Sequence, residues 1–128
     1  MDRREQEIRL VERVHGEVEM DPNLDWFIIP RWTLVPGWNR AETPILIRFP
    51  PGYAVTPPDN FYAAPDLRLA NGSVPGSTSQ DQDCGSRKWL MFSYHIEPGD
   101  WQPHADIGKG HNMLAFLAGV ERRLREVS

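Results

Sequence analysis

Only one cysteine, Cys84, occurs in the 128 residues. A single thiol closes no internal disulfide and builds no cysteine-rich metal site. The chain also lacks a basic excess: its formal net charge is −4, so no overall positive field is present to hold nucleic acid through its phosphates. The basic side chains concentrate near the two ends, interleaved with glutamate, which is the pattern of solvated helix faces. No apolar run approaches the roughly 18 residues that a membrane span requires. The opening stretch, MDRREQEIRL, is charged rather than apolar, which argues against a secretory signal. A cytoplasmic protein without nucleic-acid or membrane partners is the expectation. In that compartment the NGS at Asn71 reads as a turn.

What the chain does hold is 40% hydrophobic and 25% charged residues, ordinary values for one globular domain spanning residues 1–128. Five tryptophans and twelve prolines are unusual; they suggest large core anchors tied by rigid loops. Leu10, Val11, Val14 and Val18 recur at helical spacing, predicting a helix over residues 4–20 that DPN stops at 21–23. WFIIPRWTLVPGW is dense in β-branched and aromatic residues but broken by Pro30 and Pro36, so it reads as an irregular strand. TPILIRF is a second strand. NFYAAPDLRLA is a third, with Pro65 suited to an edge or a bulge. Residues 71–88, NGSVPGSTSQDQDCGSRK, show no hydrophobic periodicity and predict a long, mobile, irregular loop. WLMFSYHI follows as an extended apolar segment, and EPGDWQP as a turn. Met113, Leu114, Leu117, Val120 and Leu124 form one stripe of a closing helix over 105–126.

The order is helix, meander of strands, irregular loop, helix. Strands bracketed by helices predict an α+β fold with the helices packed on one side, or at the ends, of an antiparallel sheet. One stretch stands out. FPPGYAVTPPDNFY, residues 49–62, places Pro50, Pro51, Pro57 and Pro58 directly after a buried strand. Prolines fix φ and remove amide donors, so this stretch cannot run inside a sheet. It reads as a stiff scaffold that turns the chain sharply and holds Tyr53 and Phe61 as packing anchors.

A strand ending in FP, then GY, then PP, then an aromatic strand resembles the ubiquitin-conjugating enzyme (UBC-like) fold. There a tyrosine-proline loop packs beneath the active-site region. Trp101 and Pro103 before the closing helix resemble the family's tryptophan-proline pair. GWN, FPPGY, PPDNFY, FSYH and DWQP together resemble a bacterial branch, family E of the prokaryotic ubiquitin-conjugating-like proteins, over nearly the whole chain.

The resemblance implies a thioester carrier. A cysteine thiolate would take a ubiquitin-like protein from an adenylating enzyme, docked on the first helix, and pass it to an acceptor. A deubiquitinase-type metallopeptidase would belong to the same pathway. Cys84 in QDQDCGSRKW is the one candidate thiol, with Asp81 and Asp83 opposing its ionisation and Arg87 and Lys88 favouring it. It reads equally as a surface thiol without a role, because it stands farther from Trp101 than the family's cysteine usually does. The His-Pro-Asn tripeptide of the eukaryotic enzymes is missing. His95 lies six residues before Trp101, where the family usually has its cysteine. It could act as a general acid or base polarised by Asp100 or Glu97, or serve a buried structural network. Asp106 reads as an early-turn helix residue complementing the dipole.

His95, His104, Asp106 and His111 lack the spacing of a metal motif, and no G-x-S-x-G elbow marks a serine hydrolase. No cofactor is implied. Two functions stay open: a thioester carrier with Cys84, His95 and Asp100 as catalytic residues, or a conjugating-like interaction scaffold that binds the same partners without the thioester. Cys84 beside a groove floored by Trp101 would favour the first, and Cys84 far from His95 the second.

Overall fold

The computed structural model describes residues 1–128, the side chain of Pro98 excepted. The first helix, α1, spans Arg3–His15. Asp2 caps it by accepting from the Arg4 N–H at 2.7 Å. Of the expected stripe only Val11 is fully buried, together with Ile8; Leu10 is half-buried, Val14 is exposed and Val18 lies beyond the helix. The helix ends sooner than the expected residue 20, because Gly16 adopts φ +88° and its N–H closes onto the Glu12 carbonyl. That left-handed exit is easy only for glycine. Residues beyond it form a short strand, β1, Glu19–Met20.

Five further strands follow among the described residues: β2 Trp26–Thr33, β3 Glu42–Arg48, β4 Phe61–Ala63, β5 Thr78–Cys84 and β6 Arg87–Phe92. They form one antiparallel sheet in the order β1-β2-β3-β4-β6-β5. The irregular strand expected around Pro30 is β2. Its register against β3 slips between Ile29 and Trp32, a bulge that accommodates a residue without an amide donor. The third strand is shorter than expected, since only Phe61–Ala63 pairs.

The polar stretch 71–88 is not one loop. Residues 78–84 are β5, paired to β6 along its whole length with a bulge between Ser79 and Gln82. β5 is an edge strand, TSQDQDC, carrying no apolar stripe because neither of its faces is sealed. Residues 71–77 remain irregular, and 85–86 form the turn between β5 and β6.

The closing helix, α2, spans Met113–Arg125. It begins eight residues later than expected. Asn112 caps it, its Oδ1 accepting from the Ala115 N–H at 3.2 Å. Of the predicted stripe Met113, Leu117, Val120 and Leu124 are buried and Leu114 only partly so; Phe116 joins them, and with Ile8 and Val11 of α1 they seal one face of the sheet against Phe27, Ile29, Ile45 and Ile47. Both helices therefore pack on one side. This is the α+β, UBC-like arrangement of N-terminal helix, antiparallel meander and C-terminal helix.

The opposite face carries a second, smaller cluster of Ile28, Leu46, Tyr62 and Trp89, with Trp26, Met91 and Cys84 packed around it. The β5–β6 turn closes over it. Gly85, at φ +58°, lies so near Trp26 that a Cβ there would sit 3.1 Å from the indole, and Arg87 stacks on Trp89. Burial on both faces explains why β2 and β3 read as continuous apolar runs rather than alternating ones.

Candidate functional site

Beyond β6 the chain leaves the sheet as Tyr94-His95-Ile96, makes a single 3-10 turn over Pro98–Asp100, and reaches Trp101. Between this crossing and α2 lies a groove of about 410 Å³. Trp101 floors it at 5% exposure, its indole N–H donating to the Ala54 carbonyl at 2.7 Å. His111 stacks on that indole at 5.5 Å. Ala115, Ala118 and Arg122 line the helix side; at i, i+3 and i+7 they share one face of α2. His95, Glu97 and Asp100 line the other side.

The proline stretch holds this groove from beneath. Ala54 receives the Trp101 indole. Asn60 clamps Tyr94 twice: its N–H donates to the Tyr94 carbonyl at 2.7 Å, and its Oδ1 accepts from the Tyr94 N–H at 3.1 Å. Asp59 pairs with Nδ1 of His95. Pro57 and Pro58 are themselves nearly fixed in φ and restrict the residues before them, so the segment leading into Asp59 and Asn60 loses little entropy on folding. The scaffold role of the prolines thus has an object, the strand-to-helix crossing that builds the groove.

Tyr94 seals the inner end. Its ring meets Phe116 edge-on at 5.4 Å and Phe61 at 6.1 Å, and its hydroxyl lies against the backbone of α2 at Gly119. A Cβ at that glycine would stand 1.8 Å from Tyr94 Oη. Only a residue without a side chain fits there.

The family model for prokaryotic E2 family E matches residues 5–126. The chain belongs to that family. No curated protein and no solved structure matches it significantly. The match extends across both helices, the sheet and the groove.

In this E2-like chain Cys84 is not in the groove. It ends β5, opposite Arg87 at the start of β6, whereas His95 follows the far end of β6. On the order of 20 Å of extended chain lies between them. Cys84 also packs on the other face of the sheet, beside the Trp26 and Trp89 cluster, and its carbonyl accepts from the Trp89 indole at 3.0 Å. The thiol is half-buried, and burial pushes its pKa up; the nearby positive charge of Arg48 opposes that rise and Asp21 adds to it. A carrier thiol needs access and a fraction of thiolate.

The structure brings His95, Asp100, Glu97 and Trp101 together. The carboxylate bonded to His95 is Asp59's, and among the described residues no bond joins His95 to Asp100 or Glu97. Asp106 precedes α2 rather than lying in its first turn, and its Oδ1 accepts from the Gly108 N–H at 2.9 Å. His104 Nδ1 accepts from the Asp106 N–H, and His111 Nδ1 from the Gln102 N–H at 2.8 Å, so both rings are tied into turns. Among the described residues no three His, Cys, Asp or Glu side chains gather as a metal site, and no helix is long and apolar enough to cross a membrane.

Sequence reasoning missed Asp59, the Tyr94–Gly119 seat and the small residues of α2. Asp59 left no local signal, because it reaches His95 only through the neighbouring bonds of Asn60 to Tyr94. Gly119, inside a periodic helical stretch, is the kind of glycine that marks close packing.

Proposed function

We propose that the protein works in a prokaryotic ubiquitin-like modification pathway as a conjugating-like partner. It holds the C-terminal tail of a ubiquitin-like protein in the Trp101 groove and docks an adenylating enzyme through α1, without itself carrying the thioester. One observation supports this most strongly: the groove stands at the crossing from sheet to closing helix and presents His95, while the single thiol, Cys84, lies half-buried on the opposite sheet face. An extended peptide suits the groove. Ala115 and Ala118 leave room against α2, Trp101 supplies an apolar floor, and Arg122 is a cation for a carboxylate or a carbonyl. The setting would be cytoplasmic, and a deubiquitinase-type metallopeptidase would reverse the modification.

The competing reading is carriage at Cys84, with His95 and Asp100 assisting. It is favoured by the hairpin-tip position of the only thiol and by the charge of Arg48 near it. A reconstitution separates the two. The protein is incubated with ATP and with the adenylating enzyme and ubiquitin-like protein of its own genome, then run on a gel without reductant. The scaffold reading expects stable partner binding and no thiol-sensitive adduct. An adduct that survives in His95→Ala and vanishes in Cys84→Ser would establish carriage instead.

A further inference from the structure

The carboxylate on His95 comes from the proline stretch, 36 residues earlier in the chain. An ionised carboxylate only accepts hydrogen bonds, so in a neutral imidazole the bonded Nδ1 must carry the proton. Nε2 is then left with its lone pair free. The ring is exposed by 66% and lines the groove with Trp101 and Arg122. Neither partner is free to wander. Asn60, next to Asp59, is bonded through both its N–H and its side chain to Tyr94, next to His95. Two adjacent pairs therefore lock one segment onto the other, and the second of them sets the imidazole.

The geometry points to Asp59 as the positioning residue that makes His95 Nε2 the groove's proton acceptor for acyl transfer from a thioester held on a partner's cysteine. This deepens the reading of the groove as a tail-binding site and rests on it. With the tail in the groove, an amine nitrogen attacks the thioester carbonyl carbon. The proton that the nitrogen loses passes to Nε2, the carbon–sulfur bond breaks, and the departing thiolate takes the proton back from the imidazolium. An amide and a free thiol result, the imidazole is regenerated, and no oxidant, reductant or bound cofactor is consumed. A base fixed in one tautomer serves this step better than one that must first reorient.

Two measurements test it. The first is the ¹⁵N imidazole spectrum of His95 in wild type, Asp59→Asn and Asp59→Glu. One dominant Nδ1–H tautomer is expected in wild type and in Asp59→Glu, and a mixed population in Asp59→Asn. The same tautomer mixture in all three would overturn the positioning role, whatever the groove binds. The second is aminolysis by free lysine of a hexapeptide that ends in a glycyl mercaptoethanesulfonate thioester. The rate with wild type should fall by about tenfold or more in His95→Ala and in Asp59→Asn and recover in Asp59→Glu. Amide shifts of Ala115 and Ala118 report whether the peptide occupies the groove. If they shift and the rate ignores His95, the acid–base proposal fails and tail binding stands. If they stay still, tail binding itself fails and the acyl-transfer role falls with it.

Discussion

Tyr53 and the main chain of Met113 donate to the same oxygen of Glu7, each at 2.6 Å. Glu7 is completely buried, and its other oxygen receives Nε of Arg3 at 2.8 Å. One carboxylate thereby ties α1 to the proline stretch and to the first turn of α2, where a negative charge also meets the positive end of the helix dipole. Burial, then the charge of Glu7, pushes the Tyr53 hydroxyl pKa far up, so it stays a donor across the ordinary pH range.

Truncating that carboxylate strands two buried donors and an arginine at once. Glu7→Ala should therefore cost about 3–5 kcal/mol, the range for breaking a buried charged network, and Tyr53→Phe about 1.5–3 kcal/mol for a single hydrogen bond to a charged group. Urea unfolding measures both. A midpoint for Glu7→Ala equal to wild type would remove Glu7 from its role as the junction of the two helices.

Trp101 is the next anchor to test. It is 5% exposed, and its indole N–H is committed to Ala54. Cutting a buried tryptophan to alanine costs about 3–5 kcal/mol, a large share of the 5–15 kcal/mol that holds a typical domain. Trp101→Ala should leave a marginally folded protein, and Trp101→Phe one that folds but loses the bond to the proline stretch. An unchanged melting temperature in Trp101→Ala would show that the groove floor is not structural.

Gly119 makes a counter-intuitive prediction. Alanine normally stabilises a helix interior over glycine by about 1 kcal/mol. Here the added Cβ would meet Tyr94 Oη at 1.8 Å and Cζ at 2.6 Å. The ring cannot swing aside without giving up Phe61 and Phe116. Gly119→Ala should instead destabilise by about 1–3 kcal/mol, the usual penalty of overpacking. In a double-mutant cycle the penalty should vanish once Tyr94→Ala has emptied the seat. Additive costs would mean that Tyr94 and Gly119 do not share one space.

The sequence showed the parts of the fold that depend on apolar periodicity. The stripe Met113, Leu117, Val120, Leu124 identified α2, and β2 and β3 declared themselves by their β-branched runs. Helix ends were misplaced where a capping residue outweighed the pattern: Asn112 starts α2 and Gly16 ends α1, and both are residue types that mark such ends. β5 was illegible because TSQDQDC gains its place from hydrogen bonds to β6 rather than from buried side chains. Of the site, His95, Asp100 and Trp101 could be grouped because they are neighbours in the chain. Asp59 could not, since only the Asn60–Tyr94 clamp brings it across. The placement of Cys84 on the far face depends on the register of β5 with β6, which no local pattern encodes.

His15 gives the chain a pH dependence of definite sign. Its ring stacks on Trp32 at 5.0 Å. Burial lowers its pKa, against a smaller opposing effect of Glu121. That carboxylate is itself engaged by the Trp32 indole at 2.9 Å and by Arg125 at 3.0 Å. Arg31 and Glu17 complete the charged groups around the ring. A depressed histidine pKa means that the unfolded chain takes up the proton first as pH falls. The contribution is complete above about pH 6.5, the ordinary histidine value, and is lost progressively below it. Melting curves from pH 7.5 to 5 should fall more steeply for wild type than for His15→Phe, which keeps the stack without the charge. Parallel curves would place the acid sensitivity elsewhere.

Cys84 titrates with the opposite sense. Burial raises its pKa, so near neutral pH the folded protein holds a smaller fraction of thiolate than an unfolded chain does. Iodoacetamide reacts with the thiolate, so at pH 7.5 alkylation of the native protein should be slower than that of the same protein in urea. The native rate should climb only as pH passes above the ordinary thiol value of about 8.5. Linkage follows: a raised folded pKa contributes stability below about pH 8.5 that is lost as pH rises through the folded value, because the unfolded thiol ionises first. Cys84→Ser should remove that alkaline loss, while placing a hydroxyl against Trp26 and Trp89. The chemical outcome also bears on function. A native thiol that alkylates as fast as a free one at pH 7.5 would show that the hairpin tip opens in solution, and it would return Cys84 to contention as a carrier. Slow alkylation, together with unaltered partner binding in Cys84→Ser, leaves the groove and not the thiol as the working surface of the domain.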